Sequence, residues 1–248
     1  MTENEMMKGL LLVSHLDNCK ETAQLQGQPM PPVEKALAKD KEIIRLPEPG
    51  MLDDVETSFL EMTELRSSIR QYSQKPLTVK ELSFLLWCTQ GVKGMTEMGT
   101  TLRNVPSAGG RHAFETYLYI RRVEGITPGI YRFLALGHAL QLVTTDETEI
   151  AKFIGAFKSR GVVENCAVIF LWTAVYERMV YRFGHRAVRY IFLDAGHVCQ
   201  NLYLAAYVNK TATCALGAFF EEAINEVLGL DGVNEFPVYG AAVGKPDF

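Results

Sequence analysis

Two guanidiniums and two hydroxyls fall within five residues at Arg66-Ser67-Ser68-Ile69-Arg70. Forked N–H donors and hydroxyls that converge where a helix ends and the chain turns suit a dianion, most simply a phosphate. A solvated turn carries such residues too, so the stretch needs partners elsewhere in the chain. Three other stretches offer them. Pro106-Ser107-Ala108-Gly109-Gly110 sets small residues after a proline, which lets backbone approach a flat ligand and bares amide N–H groups; a tight structural turn asks for the same residues. Cys214-Ala215-Leu216-Gly217-Ala218-Phe219 reads as a second small-residue loop whose N–H groups suit an acceptor on a ligand. Gly244-Lys245 adds one more cation and one more permissive backbone position.

Metal chemistry has no support here. His15, His112, His138, His185 and His197 show neither HxxxH nor HExxH spacing. His197, in an apolar helical context, reads as a hydrogen-bonded core histidine. The cysteines Cys19, Cys88, Cys166, Cys199 and Cys214 form no CxxC pair and read as free thiols of a reducing compartment.

The elements that must position these residues follow from periodicity and punctuation. Gly9–Leu16 reads as a short helix in a segment closed by Pro47-Glu48-Pro49-Gly50, so residues 1–50 form an extension that wraps over a core or a partner, and residues 51–248 form the main domain. Asp53 and Asp54 open a helix with Val55, Phe59 and Met62 on one face, which delivers the chain to Arg66. Thr78-Val79-Lys80-Glu81 is a capping box for a helix through Leu82, Leu85, Leu86 and Thr89 that Gly91 stops. Thr116–Arg121, Ile130–Phe133 and Leu140–Val143 predict an antiparallel meander. Asp146 caps a helix through Phe157, and the apolar run Ala167–Ala174 suits a strand buried on both faces. The longest helix runs from His185 to about Asn209 and is apolar round most of its circumference, so it is central in the domain or shared with a second subunit. Val238–Val243 reads as the last strand.

Composition bounds the function classes. The 248 residues are 48% hydrophobic and 22% charged, a globular balance. The net charge of −4 argues against a nucleic-acid or anionic-membrane surface, so an anion site must be a local basic cluster. Ala187–Val208 carries Arg189, Asp194, His197, Gln200 and Asn201, too many polar groups for a membrane span. Residues 1–12 lack the positive start of a signal peptide, and a cytoplasmic location is expected.

Taken in order, these motifs resemble the nitroreductase-like flavoprotein family over about Leu52 to Phe248. Arg66-Ser67-Ser68-Ile69-Arg70 is similar to its Arg-x-Ser-x-Arg/Lys element. Pro106-Ser107-Ala108-Gly109-Gly110-Arg111-His112 resembles the Pro-Ser-Ala-Gly-x-x-His loop of the branch called SagB-type dehydrogenases, and Asp194-Ala195-Gly196-His197-Val198 with Asn201-Leu202 resembles that branch's long helix. The resemblance implies an α+β sandwich, a mostly antiparallel sheet flanked by helices, and an obligate homodimer with FMN in two clefts at the interface. It implies that Arg66, Ser67, Ser68 and Arg70 hold the phosphate and ribityl chain, with Gly244 and Lys245 in a terminal phosphate-side element where Lys245 adds charge. Pro106, Ser107, Ala108, Gly109 and Gly110 then line the isoalloxazine edge, and in the Leu216-Gly217-Ala218 stretch Gly217 or Ala218 donates an N–H to flavin N5.

Many members of the family carry an Asn where this chain has Gly110, so that contact is absent. Arg103 and Arg111 flank the same loop, either at the flavin edge or in surface pairs with acids such as Glu97 or Glu115. The implied activity is ping-pong hydride transfer from NAD(P)H through FMN to a small electron-poor acceptor such as a nitro compound or quinone, with no side-chain catalyst beyond Tyr181. Azoline oxidases of the branch carry Leu-Lys-Tyr where this chain is aligned as Met179-Val180-Tyr181, which weighs against peptide tailoring with partner proteins. Two alternatives stand beside it: that peptide-tailoring dehydrogenase, and a non-catalytic flavin-holding dimer whose cleft the extension blocks.

Overall fold

A strand that alternates its contacts between two apolar cores explains the longest uninterrupted hydrophobic run. In the computed structural model, which describes residues 9, 12–16, 21–49 and 57–247, that run is β7 (Val168–Val175), and every residue in it is buried. Val168, Phe170, Trp172 and Ala174 enter one core, whereas Ile169 and Leu171 enter the other, the period of two that a strand imposes. Both of its neighbours are antiparallel: β4 (Phe114–Ile120) on one side and β9 (Glu235–Gly244) on the other. The sheet grows outward from β4 through β5 (Gly129–Leu134), β6 (Ala139–Thr144) and β1 (Ile43–Arg45), and from β9 to β8 (Ala212–Leu216). All of its ladders are antiparallel. The predicted meander is β4–β5–β6.

Helices cover both faces of this α+β sandwich. On the first face lie α2 (Val79–Gln90), α5 (Tyr176–Phe183) and α6 (Ala187–Val208), which contribute Leu82, Leu85, Met179, Ile191, Val198 and Leu202. On the second, α3 (Glu147–Gly155), the short α4 (Arg160–Val163) and α7 (Glu221–Leu228) supply Phe153, Val163 and Ile224. The capping box of α2 forms: Thr78 accepts from the Glu81 N–H, and Glu81 accepts from the Thr78 N–H. Gly91 ends it because a Cβ there would lie 2.4 Å from the Trp87 ring. A two-stranded hairpin of β2 (Val92–Met95) and β3 (Thr101–Arg103) follows.

Several expectations are revised. Asp53, Asp54 and Val55 lie outside the described residues; the helix is α1 (Phe59–Leu65), capped by Ser58, and it buries no side chain. Of the helix expected over Gly9–Leu16, Gly9, Leu12 and Val13 are helical, and residues 10 and 11 lie outside the described residues. Cys214, Ala215 and Leu216 are not loop but the end of β8, since β9 pairs with them. The long helix α6 starts at Ala187 after a short 3-10 turn, Gly184–Arg186. His197 is no core histidine: it stands on the exposed face of α6, about 100° per residue away from the stripe made by Ile191, Val198 and Leu202. Cys88, Cys166, Cys199 and Cys214 are free thiols, and burial pushes Cys166 and Cys199 up to about 12; Cys19 lies outside the described residues.

The segment before α1 is tied into the sheet. β1 pairs with β6, and residues 32–38 cross a buried polar cluster. There Arg178 Nε donates to Pro32 O at 2.8 Å and Arg132 to Ala36 O at 2.9 Å. Lys35 pairs with Glu235, and beneath it the Arg178–Glu115 ion pair closes at 2.6 Å with both side chains 3% exposed. Among the described residues no helix is long and apolar enough to cross a membrane.

Candidate functional site

The phosphate-type motif sits where α1 ends. Its last N–H bond, Arg66 N to Met62 O, releases the chain into an extended stretch that Ile69 clips to β8 through Thr213 O at 3.1 Å. Below it Tyr72 donates to Ile69 O and to Ala242 O, and Gly244 is required because a Cβ there would lie 2.8 Å from the Tyr72 ring. What gathers the motif is Tyr203 of α6. Its hydroxyl accepts the Ala215 N–H at 2.8 Å and is bonded to Ser68 Oγ at 2.8 Å, and the Arg66 guanidinium lies 5.2 Å from the centre of its ring. Arg70 reaches back to Ser68 O at 3.3 Å. Arg66 and Ser67 open onto a cavity of about 510 Å³ shared with Tyr203, Tyr207, Lys210 and Thr213.

Neither Arg66 nor Arg70 is paired with a carboxylate among the described residues. Lys245 is: its ammonium pairs with Glu81, the carboxylate of the α2 capping box. Gly217 and Ala218 are exposed just beyond β8, beside Tyr239.

The second loop is held at another station of α6. Ser107 Oγ–H donates to Asp194 Oδ2 at 2.6 Å, and the Ala108 N–H donates to Asp194 Oδ1 at 3.1 Å. Ser107 Oγ in turn accepts the His112 N–H at 2.9 Å. The turn closes through Gly110 N to Ser107 O and Arg111 N to Ala108 O. It needs left-handed backbone at Gly109 (φ 56), Gly110 (φ 63) and His112 (φ 45). A Cβ on Gly109 would also come within 2.7 Å of the Arg182 side chain and 2.9 Å of Phe183. Burial raises the Asp194 carboxyl above its ordinary value, against the two bonds it accepts. Burial, then Arg103 and Arg111, push the His112 imidazole down to about 3.

The two arginines flanking this loop separate. Arg103 is buried, donating to Gln90 Oε1 at 2.6 Å, Thr101 and Val33 O, with Glu115 as its nearest compensating charge. Arg111 donates Nε–H to Gly109 O at 3.2 Å and faces the Tyr181 ring at 5.9 Å.

Asp194 and Tyr203 are nine residues apart on one helix, hence about 13–14 Å along its axis and on opposite sides of it. The chain therefore assembles Arg66, Ser67, Ser68, Arg70, Leu216, Gly217, Gly244 and Lys245 round β8, and anchors Pro106–Gly110 separately. Sequence reasoning assigned no role to Tyr203, Lys210 or Arg182. An aromatic on the Asp194 helix, a few turns on, was the available signal for Tyr203; nothing in the sequence marked the others.

Comparison with known proteins bears on the family and the fold. The Nitroreductase family description matches residues 64–245. A Methanocaldococcus jannaschii protein provisionally named a nitroreductase is 32% identical over 195 residues, covering 78% of this chain and 94% of that one. A structure from Ralstonia eutropha, also provisionally named a nitroreductase, superposes with a TM-score of 0.67 at 23% identity, covering 89% of this chain and 99% of its own. One from Desulfovibrio desulfuricans, described as a complex with FMN, gives 0.53 at 18% identity over 78% and 89%. With a family match across most of its length and a relative at this level of identity, the chain belongs to the nitroreductase family.

Proposed function

We propose that this protein is an FMN-dependent oxidoreductase that takes hydride from NAD(P)H and passes it to a small electron-poor acceptor. The observation that carries this reading is the Arg66–Arg70 cluster. Arg66 and Ser67 line a cavity of about 510 Å³ with Lys210 on its wall, Ser68 and Arg70 follow directly in the chain, and among the described residues no carboxylate is paired to either arginine. Such a donor set fits a phosphate dianion. Family membership and the FMN complex of the D. desulfuricans relative support the same cofactor.

In this reading Arg66, Arg70, Ser67 and Ser68 hold the phosphate and ribityl chain. Lys210 adds charge, while Lys245 acts from behind through Glu81. Gly217 or Ala218 offers its N–H to flavin N5, a preorganised donor where charge changes. Bound FMN would supply the two-electron chemistry. Pro106–Gly110 belongs to the same site only if a second copy brings it there. The exposed apolar side chains Phe59, Leu60 and Leu65 on α1, and Phe192 and Leu193 on α6, are 54–70% exposed and support a homodimer that covers them. Residues 1–50 serve as an extension of the FMN-binding unit 51–248. The free thiols fit a cytoplasmic setting.

An anaerobic absorbance titration of the FMN-reconstituted protein with NADH and then NADPH tests the proposal. Bleaching of the flavin band near one equivalent is the expected result. A protein that takes up no FMN overturns the cofactor assignment, and one that stays yellow with both donors overturns the donor assignment.

A further inference from the structure

At the second loop two arginines lie against the same glycine, and among the described residues neither has a carboxylate partner. Arg111 is only 8% exposed, and among the described residues its one hydrogen bond runs from Nε to Gly109 O at 3.2 Å. Arg182 lies on the other contact of the same glycine: its Cδ and Nε are what a Gly109 Cβ would meet at 2.7 Å. Among the described residues Arg182 makes no ion pair, and its guanidinium lies 5.7 Å from the centre of the Phe183 ring. Burial, and then the Arg182 charge, hold the Arg111 guanidinium below its ordinary value. The carboxylate on this loop, Asp194, is engaged by Ser107 and Ala108. Nearby Arg186 and Arg189 are turned to Ser14.

A largely buried guanidinium beside a second cation is costly unless an anion completes the group, and the guanidinium fork is matched to an oxyanion. We propose that Arg111 and Arg182 form an oxyanion subsite, so that a substrate of this enzyme carries a carboxylate or a phosphate held at the Gly109 turn. This rests on the proposed flavin reading for its catalytic meaning, but not for its binding. The charge belongs either to the electron acceptor or to the phosphate of a nicotinamide dinucleotide.

The test uses the full chain loaded with FMN, as wild type and as Arg182→Ala, which changes an exposed side chain. Calorimetric titration with sodium benzoate should show binding that Arg182→Ala weakens about tenfold or more, the scale of losing one charge-assisted contact, and that Arg182→Lys partly restores. In turnover, the KM for 4-nitrobenzoate should rise by the same factor while that for nitrobenzene stays unchanged. If the rise falls instead on NADPH relative to NADH, the oxyanion is the donor's phosphate, and the subsite stands with that source. Benzoate and inorganic phosphate affinities equal in wild type and variant, or equal losses with nitrobenzene and 4-nitrobenzoate, overturn the subsite. Failure to take up FMN overturns the flavin reading alone, because the benzoate titration is then read on the chain without it.

Discussion

Tyr203 and Asp194 hold two loops from one helix in opposite ways. At Tyr203 one phenol holds the Ser68 hydroxyl and the Ala215 N–H through hydrogen bonds and the Arg66 guanidinium over its ring face, and among the described residues that cation has no carboxylate partner. At Asp194 the loop is satisfied within itself: its hydroxyl, Ala108 N–H, Gly110 N–H, Arg111 N–H and His112 N–H all have partners, and what it presents outward is shape. The difference separates two kinds of recognition. In the proposed reading the first station takes its ligand by charge, whereas the backbone of the second is complete and offers shape, with charge added only by the side chains Arg111 and Arg182 beside it.

The contrast breaks most sharply at the first station. Arg66→Ala combined with Arg70→Ala should weaken FMN binding about a hundredfold or more, two charge-assisted contacts to a dianion being lost, while the melting temperature of the cofactor-free protein changes little. Fluorescence titration with FMN checks both halves; a double variant that binds as tightly as wild type would return the phosphate to other residues.

The second station should be the acid-sensitive one. His112 has its pKa lowered to about 3 from 6.5, so its contribution to stability is complete above pH 6.5 and is lost as the pH falls toward 3. One proton sets a slope of at most about 1.4 kcal/mol per pH unit. Urea unfolding of wild type and His112→Gln across that window should show the two curves converging as the pH drops. Asp194 titrates with the opposite sign: its raised pKa gives stability that is complete below the ordinary 3.8 and lost as the pH rises through the folded value.

Next in size, Asp194→Ala should cost about 1–3 kcal/mol, because the Ser107 hydroxyl and the Ala108 N–H lose their acceptor together. Urea unfolding at neutral pH measures it. Tyr203→Phe should cost least in stability, about 1 kcal/mol, yet it leaves both Ser68 and the Ala215 N–H without the phenol oxygen and should loosen FMN several-fold. If Asp194→Ala loosened FMN more than Tyr203→Phe, the assignment of charge recognition to the first station would be reversed.

Much of the fold was legible because burial leaves a period in the chain. The run Ala167–Ala174 announced β7, and Thr78-Val79-Lys80-Glu81 announced the start of α2 through local hydrogen bonds that need no tertiary context. β8 was misread as loop because Cys214 and Ala215 have weak strand propensity and are held by the β9 ladder. β1 was missed for the same reason: three residues with mixed exposure become a strand only because β6 is there to pair with them. The site divides likewise. Arg66, Ser68 and Arg70 were visible as types at short spacing, whereas the pairing of Lys245 with Glu81 joins residues 164 apart.

By itself the sequence determined the local chemistry: which residues carry charge, which stretches must turn, which helix is apolar enough to lie against the sheet, and the nitroreductase-like order of the motifs. The tertiary structure alone decided which charges are left free. Lys245 is paired with Glu81, and Arg103 is hydrogen-bonded to Gln90 in the field of Glu115, while among the described residues Arg66, Arg70, Arg111 and Arg182 have no carboxylate partner. A charge's availability depends on what folds against it, and the reach of a side chain to a neighbour is set by packing between elements, a distance that no spacing along the chain encodes.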